Sequence, residues 1–437
     1  MTMALVASLA GAGQSPARAS VTQDTPDSSE AFILRCGGLI DGRGETLSRN
    51  RQIVVSAGRI VSIGDWDDQA RADALVVDLS DATCMPGMID THVHLTIAAG
   101  DFAGVTAGGA SSATRGLIAL RNAQTMLDYG FTTVRSTGEF DRYYSLSDVR
   151  DAINIGMFVG PRILQAPHCI SATGGHCDVN NLPSDLEIEI PGLVVDGADA
   201  MRLAIRKEIK FGADWIKLAA TGGVMSHGDN PNATAFSDEE LQAAVDETHR
   251  HFKKITVHAI GTEGIKQAIR AGVDSVEHAI LIDQEGIDLM LERGTVLVPT
   301  IYVLNYVVEV GPSIGYPPGS VAKGAELMEV RDDRIRAAIE AGVNVVMGSD
   351  TIFPVEQASR EFVQMVRLGL SPMEAIKAGT INAAELLDLG DEIGTLEPGK
   401  LADIVAINGN PLDDVTLLET AVGFVMKSGQ VIKGVER

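Results

Sequence analysis

From Met85 onward one pattern recurs along the chain: a stretch with apolar residues at helical spacing, a glycine, a short apolar run, and then a polar or ionisable residue. The instances are Gly130 with FTTVRST, Gly212 with ADWIK, Gly272 with VDSVEH, Gly294 with TVLVPT and Gly342 with VNVVMGSD. Glycine suits a helix C-terminus because the left-handed conformation there carries no side-chain penalty, and a short apolar run directly after it reads as a buried strand. MIDTHVHL, PRILQAP and KKITVHA bring the strands to eight, each followed by a helical stretch such as SATRGLIALRNAQTMLDYG or FSDEELQAAVDETHRHF. Eight such alternations predict an α/β fold, a (β/α)8 TIM barrel, whose functional groups gather where the strands end.

The two ends of the chain read differently. FILRCGGLID, RQIVVSAGRIVSIG and ALVVDLSD are short β-like runs between turn signals, and GTLEPGKLADIVAINGNPL with AVGFVMKSGQVIKGV repeats that character. Residues 32–84 and 392–437 are therefore expected to form one small β-sandwich domain around a barrel spanning 85–391. Three strand-to-helix loops are long, Thr96–Ser112, Pro167–Gly197 and Tyr302–Lys323, and are expected to wall a pocket. Residues 1–31 read as a signal remnant or a disordered tail: a short apolar stretch precedes Ala17-Arg18-Ala19, an A-x-A pattern, without the usual basic start. Export to a periplasmic or secreted location is the expectation, with the cytoplasm as the alternative.

Composition narrows the partners. A formal net charge of -24 argues against nucleic acid and anionic membrane, which require clustered basic surface. No apolar stretch approaches the length of a membrane span. The four cysteines, Cys36, Cys84, Cys169 and Cys177, are too scattered for a disulfide framework; Cys169 and Cys177 share a loop and could pair, but buried thiols are favoured. The absence of CxxC spacing leaves a structural zinc ribbon unsupported.

The strand ends carry the chemistry. His92 and His94 stand two apart, so both imidazoles project from one side of the first strand, with Asp90 on the same face as a candidate to orient His92. The fourth strand ends on Lys217, the fifth on His258, the sixth on His278 and the eighth on Asp350. Neutral imidazole and carboxylate suit zinc or similar divalent ions. A lysine buried beside such ions can lose its proton and take up carbon dioxide, and the anionic carbamate could bridge two metals; Lys217 is the candidate. Each residue alone also reads as an ordinary polar strand end, and the convergence of all six is what points to a metal centre. No G-x-S-x-G elbow and no P-loop occurs, which sets serine-nucleophile and phosphate-cradling schemes aside.

On these residues the chain resembles the amidohydrolase superfamily over nearly its whole length after residue 31. THVHL, WIKLAATGG and MGSD carry the resemblance in the barrel, and LEPGKLADIV carries it in the returning β segment. SATGGH and ATGGVMSHGD are similar to a branch of imidazolonepropionase-like proteins, Xaa-Pro dipeptidases and ochratoxin-type amidases. The resemblance implies two divalent metals, most simply Zn2+, with His92, His94 and Asp350 on one, His258 and His278 on the other, and carbamylated Lys217 between them. It implies amide hydrolysis by a metal-bridged hydroxide, Asp350 passing the proton to the leaving amine. It also implies a homo-oligomer.

His176 in SATGGH could donate to the substrate, or simply hold Asp178 in its loop. His168, His227 and Tyr302 are further substrate-binding candidates, whereas His249 and His251 fall on a helix away from the barrel mouth. Dipeptidase-like relatives often carry a tyrosine where this chain has Ile260, which departs from ordinary dipeptidase specificity. The expected substrate is a small-molecule amide, an N-acyl amino acid or dipeptide with a bulky apolar part, including ochratoxin-like aryl amides of phenylalanine. The alternatives are opening of a cyclic amide and a non-catalytic metal-binding role.

Overall fold

The computed structural model of the 437-residue chain describes residues 31–68, 75–98, 110–183, 185 and 192–434. The expectations for the N-terminal tail, and for parts of the loops after the first and third strands, lie outside those residues. Strands β1 (Phe32–Leu39), β2 (Ser48–Ser56) and β3 (Arg59–Asp65) run antiparallel in sequence, and β4 (Leu75–Pro86) returns parallel to β1. The alternating burial of β1 and β2 places Leu34, Cys36, Ile53 and Val55 on an inner face.

Parallel strands follow. β5 (Met88–Val93), β6 (Phe131–Thr137) and β7 (Arg162–Ala166) pair in order. β8 (Cys169–Ser171), with the two-residue β9 (Leu193–Val194) on its outer side, then leads to β10 (Trp215–Ala219), β11 (Lys254–Ala259), β12 (Ser275–His278) and β13 (Val296–Val298). Single hydrogen bonds link the two sheets: Asp214 N donates to Gln165 O at 2.8 Å, Val346 N to Leu297 O at 2.9 Å, and Thr91 N to Met347 O at 3.1 Å. The strands thus form a ring of side chains packed from within and from the surrounding helices.

Local chemistry sets the helices between them. Helix Asp238–Arg250 begins in a capping box, with Ser237 accepting from Glu240 N and the Glu240 carboxylate accepting from Ser237 N at 2.8 Å. Helices Thr262–Ala271 and Gln284–Arg293 end on Gly272 (φ 97°) and Gly294 (φ 70°), left-handed positions where a Cβ would be strained. Each helix turns its apolar face inward, Leu241, Ala244 and Val245 in one case and Ile265, Ala268 and Ile269 in another, against Ile255, Val257 and Val276 of the strands.

β14 (Ile404–Asn408), β15 (Val422–Lys427) and β16 (Gln430–Lys433) complete the terminal sheet, in the order β16-β15-β14-β4-β1-β2-β3. Where a sandwich of two layers is expected from the sequence, all seven strands are hydrogen-bonded into one sheet. It curls until Gly58, in the β2–β3 turn, meets Ser428 and Gly429 in the β15–β16 turn. Leu34, Ile53, Ile404 and Phe424, contributed by both ends of the chain, share its core.

Three other expectations are corrected. The VNVVMGSD segment is not a full strand; one bridge, Leu297 to Val345, and the hydrogen bonds above hold it in the ring. The stretch from Tyr302 to Lys323 is not an open loop, since Ile301–Glu309 is helical and helix Pro318–Glu340 has begun by Lys323. The cysteines are not free thiols: Cys36 pairs with Cys84, Cα–Cα 5.8 Å, and Cys169 with Cys177, Cα–Cα 6.1 Å. The first pair is 48 residues apart, and the pairing of β1 with β4 brings it together.

Candidate active site

Side chains from β5, β10, β11, β12 and the segment ending at Asp350 meet at one end of the ring. One ligand atom each from His92, His278 and Asp350 lies within 4.8 Å of the others. His94 joins through Asp350, its Nε2 3.1 Å from Oδ1, and His258 packs edge-on to His278 with centroids 4.5 Å apart. Lys217, 4% exposed, lines the same cavity, and its Nζ has no hydrogen-bond partner among the described residues. His278 (φ 72°) and Asp350 (φ 56°) both occupy the left-handed region, which is costly for residues with a Cβ and concentrates at functional sites.

Each imidazole is tied on its far side. His92 Nδ1 is 2.6 Å from Glu277 Oε2, His94 Nδ1 2.7 Å from Gly138 O, His278 Nδ1 2.6 Å from Thr300 Oγ1, and His258 Nε2 3.3 Å from Gly222 O. A nitrogen that donates to a carbonyl or carboxylate fixes the tautomer and leaves the other nitrogen as a lone-pair ligand. Burial drives His92 and His258 well below the ordinary imidazole range and His278 to about 4, which favours the neutral, ligating form. Burial works against the Asp350 carboxylate, yet His92 and His94 facing it hold it well below the usual carboxylate range. Burial also brings the Lys217 ammonium down to about 8, against the pull of Glu277 and Asp350.

Beneath these side chains lies a buried ion pair with no counterpart in the sequence reading. Arg135 donates to Glu277 Oε1 at 2.8 Å and to Thr91 O at 2.6 Å, and its guanidinium sits 4.3 Å above the Trp215 ring. Glu277 therefore holds His92 with one oxygen and Arg135 with the other. The signals in the sequence were an arginine inside the otherwise uncharged FTTVRST and an acid beside His278. Asp90, expected to orient the His92 ring, instead accepts from the backbone N–H groups of His92 at 3.0 Å and Ser349 at 3.1 Å, fastening β5 to the Asp350 segment.

The cavity has a volume of about 730 Å³. Its walls are largely apolar, including Phe140, Val179, Met225, Ile314, Tyr316 and Ile352, and all but Phe140, Met225 and Ile352 fall within two of the loops expected to form them. His176 lines it, stacked on His258 at 4.1 Å, and burial lowers it to about 4. His227 lines it from an exposed position.

Two expected substrate residues are elsewhere. His168 is buried with both nitrogens committed, Nδ1 to Glu208 at 3.0 Å and Nε2 to Asp141 O at 2.8 Å. The Tyr302 hydroxyl faces a separate cavity, donating to Gln357 at 2.7 Å and accepting from Arg360 at 2.7 Å. Helix geometry beyond Thr300 turned it away from the centre. His249 and His251 pair with Asp274 and Glu247 on partly exposed ground, as expected of surface residues.

An α/β ring that gathers imidazoles and an aspartate at its strand ends defines a class of metal-dependent hydrolase sites. The chain belongs to the amidohydrolase family, which matches residues 83–435. It is 33% identical to the ochratoxinase of Aspergillus niger over 430 residues, covering 93% of this chain and 88% of that protein. The crystal structure of that ochratoxinase superposes with a TM-score of 0.81 at 32% identity, covering 93% of this chain and 96% of the other. A Xaa-Pro dipeptidase with methionine bound in its active site gives a TM-score of 0.87 at 35% identity, over 93% of this chain and 100% of that one. A prolidase complexed with N-methylphosphonate-L-proline gives 0.85 at 32% identity, over 93% and 100%. The protein is a hydrolase acting on amide bonds, of a family that generally uses a divalent metal, and the His92, His278 and Asp350 group could hold one.

Proposed function

We propose that the protein is a binuclear, zinc-type amidohydrolase of a (β/α)8 barrel, 85–391, carried by a β unit from residues 32–84 and 392–437. It releases an apolar amino acid from an N-acyl or dipeptide-like amide, including ochratoxin-like aryl amides of phenylalanine. The observation that carries this is the convergence of His92, His94 and His278 on Asp350, with His258 packed on His278 and the buried Lys217 amine in the same cavity.

The residues fit divalent cations: nitrogen and oxygen donors, buried, with Glu277 and three backbone or hydroxyl oxygens behind the rings. His92, His94 and Asp350 would hold one ion, His258 and His278 the other, with a carbamate on Lys217 between them; the unpartnered Nζ supports that assignment. Bound there, the ions would acidify water and polarise the amide carbonyl.

The chain's own groups account for the rest. Asp350 Oδ1, within reach of His92 and His94, takes the proton of the attacking water and returns it to the leaving nitrogen. His176 and His227 contact the substrate from the wall. The apolar lining excludes water and accepts the bulky side chain. Lys323, the other lysine of the lining besides Lys217, is already bonded to Asp229 and two carbonyls.

We further take the protein to act on small molecules, without nucleic acid or membrane as partner, as a homo-oligomer. The exposed apolar run of Ile155, Met157, Phe158 and Val159 supports association. The two disulfides support an exported location, since such bonds persist in oxidising compartments.

The test is product analysis of zinc-loaded protein on N-acyl amino acids, dipeptides, ochratoxin-type amides and cyclic amides. Release of a free apolar amino acid is expected. Asp350→Asn should lower turnover by about 10²–10⁴-fold, the range for a displaced general acid and base. Exclusive opening of cyclic amides, or an unchanged rate in the variant, would remove the proposal.

A further inference from the structure

Residues 138–144, after β6, put Gly138 and Phe140 into the wall of the catalytic cavity, and the bend between β7 and β8 is their seat. Gly138 N donates to Ala166 O at 2.8 Å and Glu139 N to Pro167 O at 2.9 Å. A Cβ on Gly138, whose φ is 92°, would stand 2.9 Å from Cys169 Cβ and 3.0 Å from its N, so the stretch lies directly on that bend. The next bond comes from a side chain, His168 Nε2 lying 2.8 Å from Asp141 O. Phe140 is thus held from both sides, and its ring stands edge-on to His94, centroids 5.6 Å apart at an interplanar angle of 66°.

His168 is itself fixed. A carbonyl oxygen can only accept, so Nε2 donates to Asp141 O. Nδ1 lies 3.0 Å from Glu208 Oε1, the His168 backbone N donates to Oε2 at 3.0 Å, and the Tyr144 hydroxyl donates to Oε1 at 2.8 Å. One proton between Nδ1 and the carboxylate bonds the pair whichever atom carries it. The Tyr144 ring packs edge-on to the imidazole at 4.8 Å and stacks on Phe211 at 4.6 Å. The side chains of His168 and Glu208 are 3% and 1% exposed, so a rotated imidazole would leave buried groups unbonded on both sides, which is costly. The place of Asp141 O, and of Phe140 just before it, is therefore set by one imidazole and by a carboxylate on helix Ala198–Lys210.

We propose that His168 is a positioning residue for specificity: by holding Asp141 O it keeps the Phe140 ring against His94, and Phe140 then selects amides that present a planar aromatic group to that wall. The proposal rests on the hydrolase function argued above and deepens it by naming the substrate class. It also gives His168, expected from the sequence to touch the substrate, an indirect part through Phe140. Aromatic rings attract one another in edge-on or offset geometry beyond the area they bury, whereas a saturated ring of the same bulk gains the burial alone. A loose Phe140 would have to be ordered by each substrate, which offsets that gain.

The experiment measures KM and kcat of zinc-loaded protein on two matched pairs. One is N-benzoyl-leucine against N-cyclohexanecarbonyl-leucine, and the other N-acetyl-phenylalanine against N-acetyl-cyclohexylalanine. The parent should favour the aromatic member of at least one pair by about threefold to tenfold in KM, the range of an aromatic pair. His168→Phe keeps the ring volume but not the donor, and should bring that preference below about twofold with bound zinc unchanged and kcat within about threefold. His168→Gln, whose amide can still donate to Asp141 O, should restore it. Phe140→Ala should abolish the preference, and adding His168→Phe should change it no further, as expected of residues acting as one unit. No aromatic preference in the parent, a preference that survives His168→Phe, or equal losses on both members of each pair would overturn the proposal. If the stranded Glu208 carboxylate keeps His168→Phe from folding, His168→Phe with Glu208→Gln decides. The same preference can be read as Kd by titration calorimetry in Asp350→Asn protein. A panel in which nothing is hydrolysed would therefore count against the hydrolase function and leave the Kd ratio to judge this proposal.

Discussion

The side chain most exposed to the logic of burial is Arg135, whose guanidinium and its partner Glu277 are both fully enclosed. Two charges removed from water are tolerable only while each compensates the other. Arg135→Met keeps the apolar contact with Trp215 but strands the Glu277 carboxylate, so unfolding free energy should fall by about 3–5 kcal/mol in denaturant titration. Adding Glu277→Leu should restore much of that stability but abolish activity, because it removes the far-side partner of His92. A single variant as stable as the parent would mean that the pair is not what supports the ligand. His92, His94, Lys217, His258, His278 and Asp350 could be named from strand-end position alone, whereas Arg135 and Glu277 could not. Their roles depend on which strands face each other across the ring, and a strand of seven residues looks the same whether its arginine points in or out.

Between residues and the whole stand the loops and the terminal sheet, each tied by one disulfide. In the chain-entropy account a cross-link stabilises by restricting the unfolded chain, more for longer closures. The Cys36–Cys84 link, 48 residues apart, should contribute about 4 kcal/mol, and Cys169–Cys177, 8 apart, about 2.5 kcal/mol. Their functional effects should part. Replacing Cys36 and Cys84 by alanine should lower the denaturation midpoint with KM unchanged. Replacing Cys169 and Cys177 frees the wall that carries His176 and Val179, and should raise KM with a smaller loss of stability. Equal KM effects from both pairs would show that the cavity wall does not depend on its own link. The glycine-strand rhythm placed most of the elements, but VNVVMGSD forms only a single bridge, and the helix at Ile301–Glu309 escaped it, because a hydrophobic segment directly after a strand end reads equally well as an apolar loop.

At the level of the whole molecule, a folded chain that binds metal while the unfolded chain does not is stabilised by mass action. Dialysis against a chelator should abolish turnover and lower the unfolding midpoint, with zinc restoring both; free zinc at about a hundred times its dissociation constant corresponds to about 2.7 kcal/mol. A midpoint indifferent to chelation would place the metal outside the folded site. The molecule carries a net charge of -24 and, among the described residues, no helix long and apolar enough to cross a membrane.

Periodicity and punctuation carried the order of most strands and helices, and short motifs such as THVHL and MGSD carried the family resemblance and the candidate ligands at strand ends, since all of these are local along the chain. Which distant groups complete the centre was settled by closure of the ring, where Glu277 reaches His92 across 185 positions and Lys323 reaches Asp229 across 94. The same closure sent His168 to Glu208 and Tyr302 to Arg360, away from the cavity. A side chain's direction at a strand end is decided by the neighbours it packs against, and those neighbours are remote in sequence.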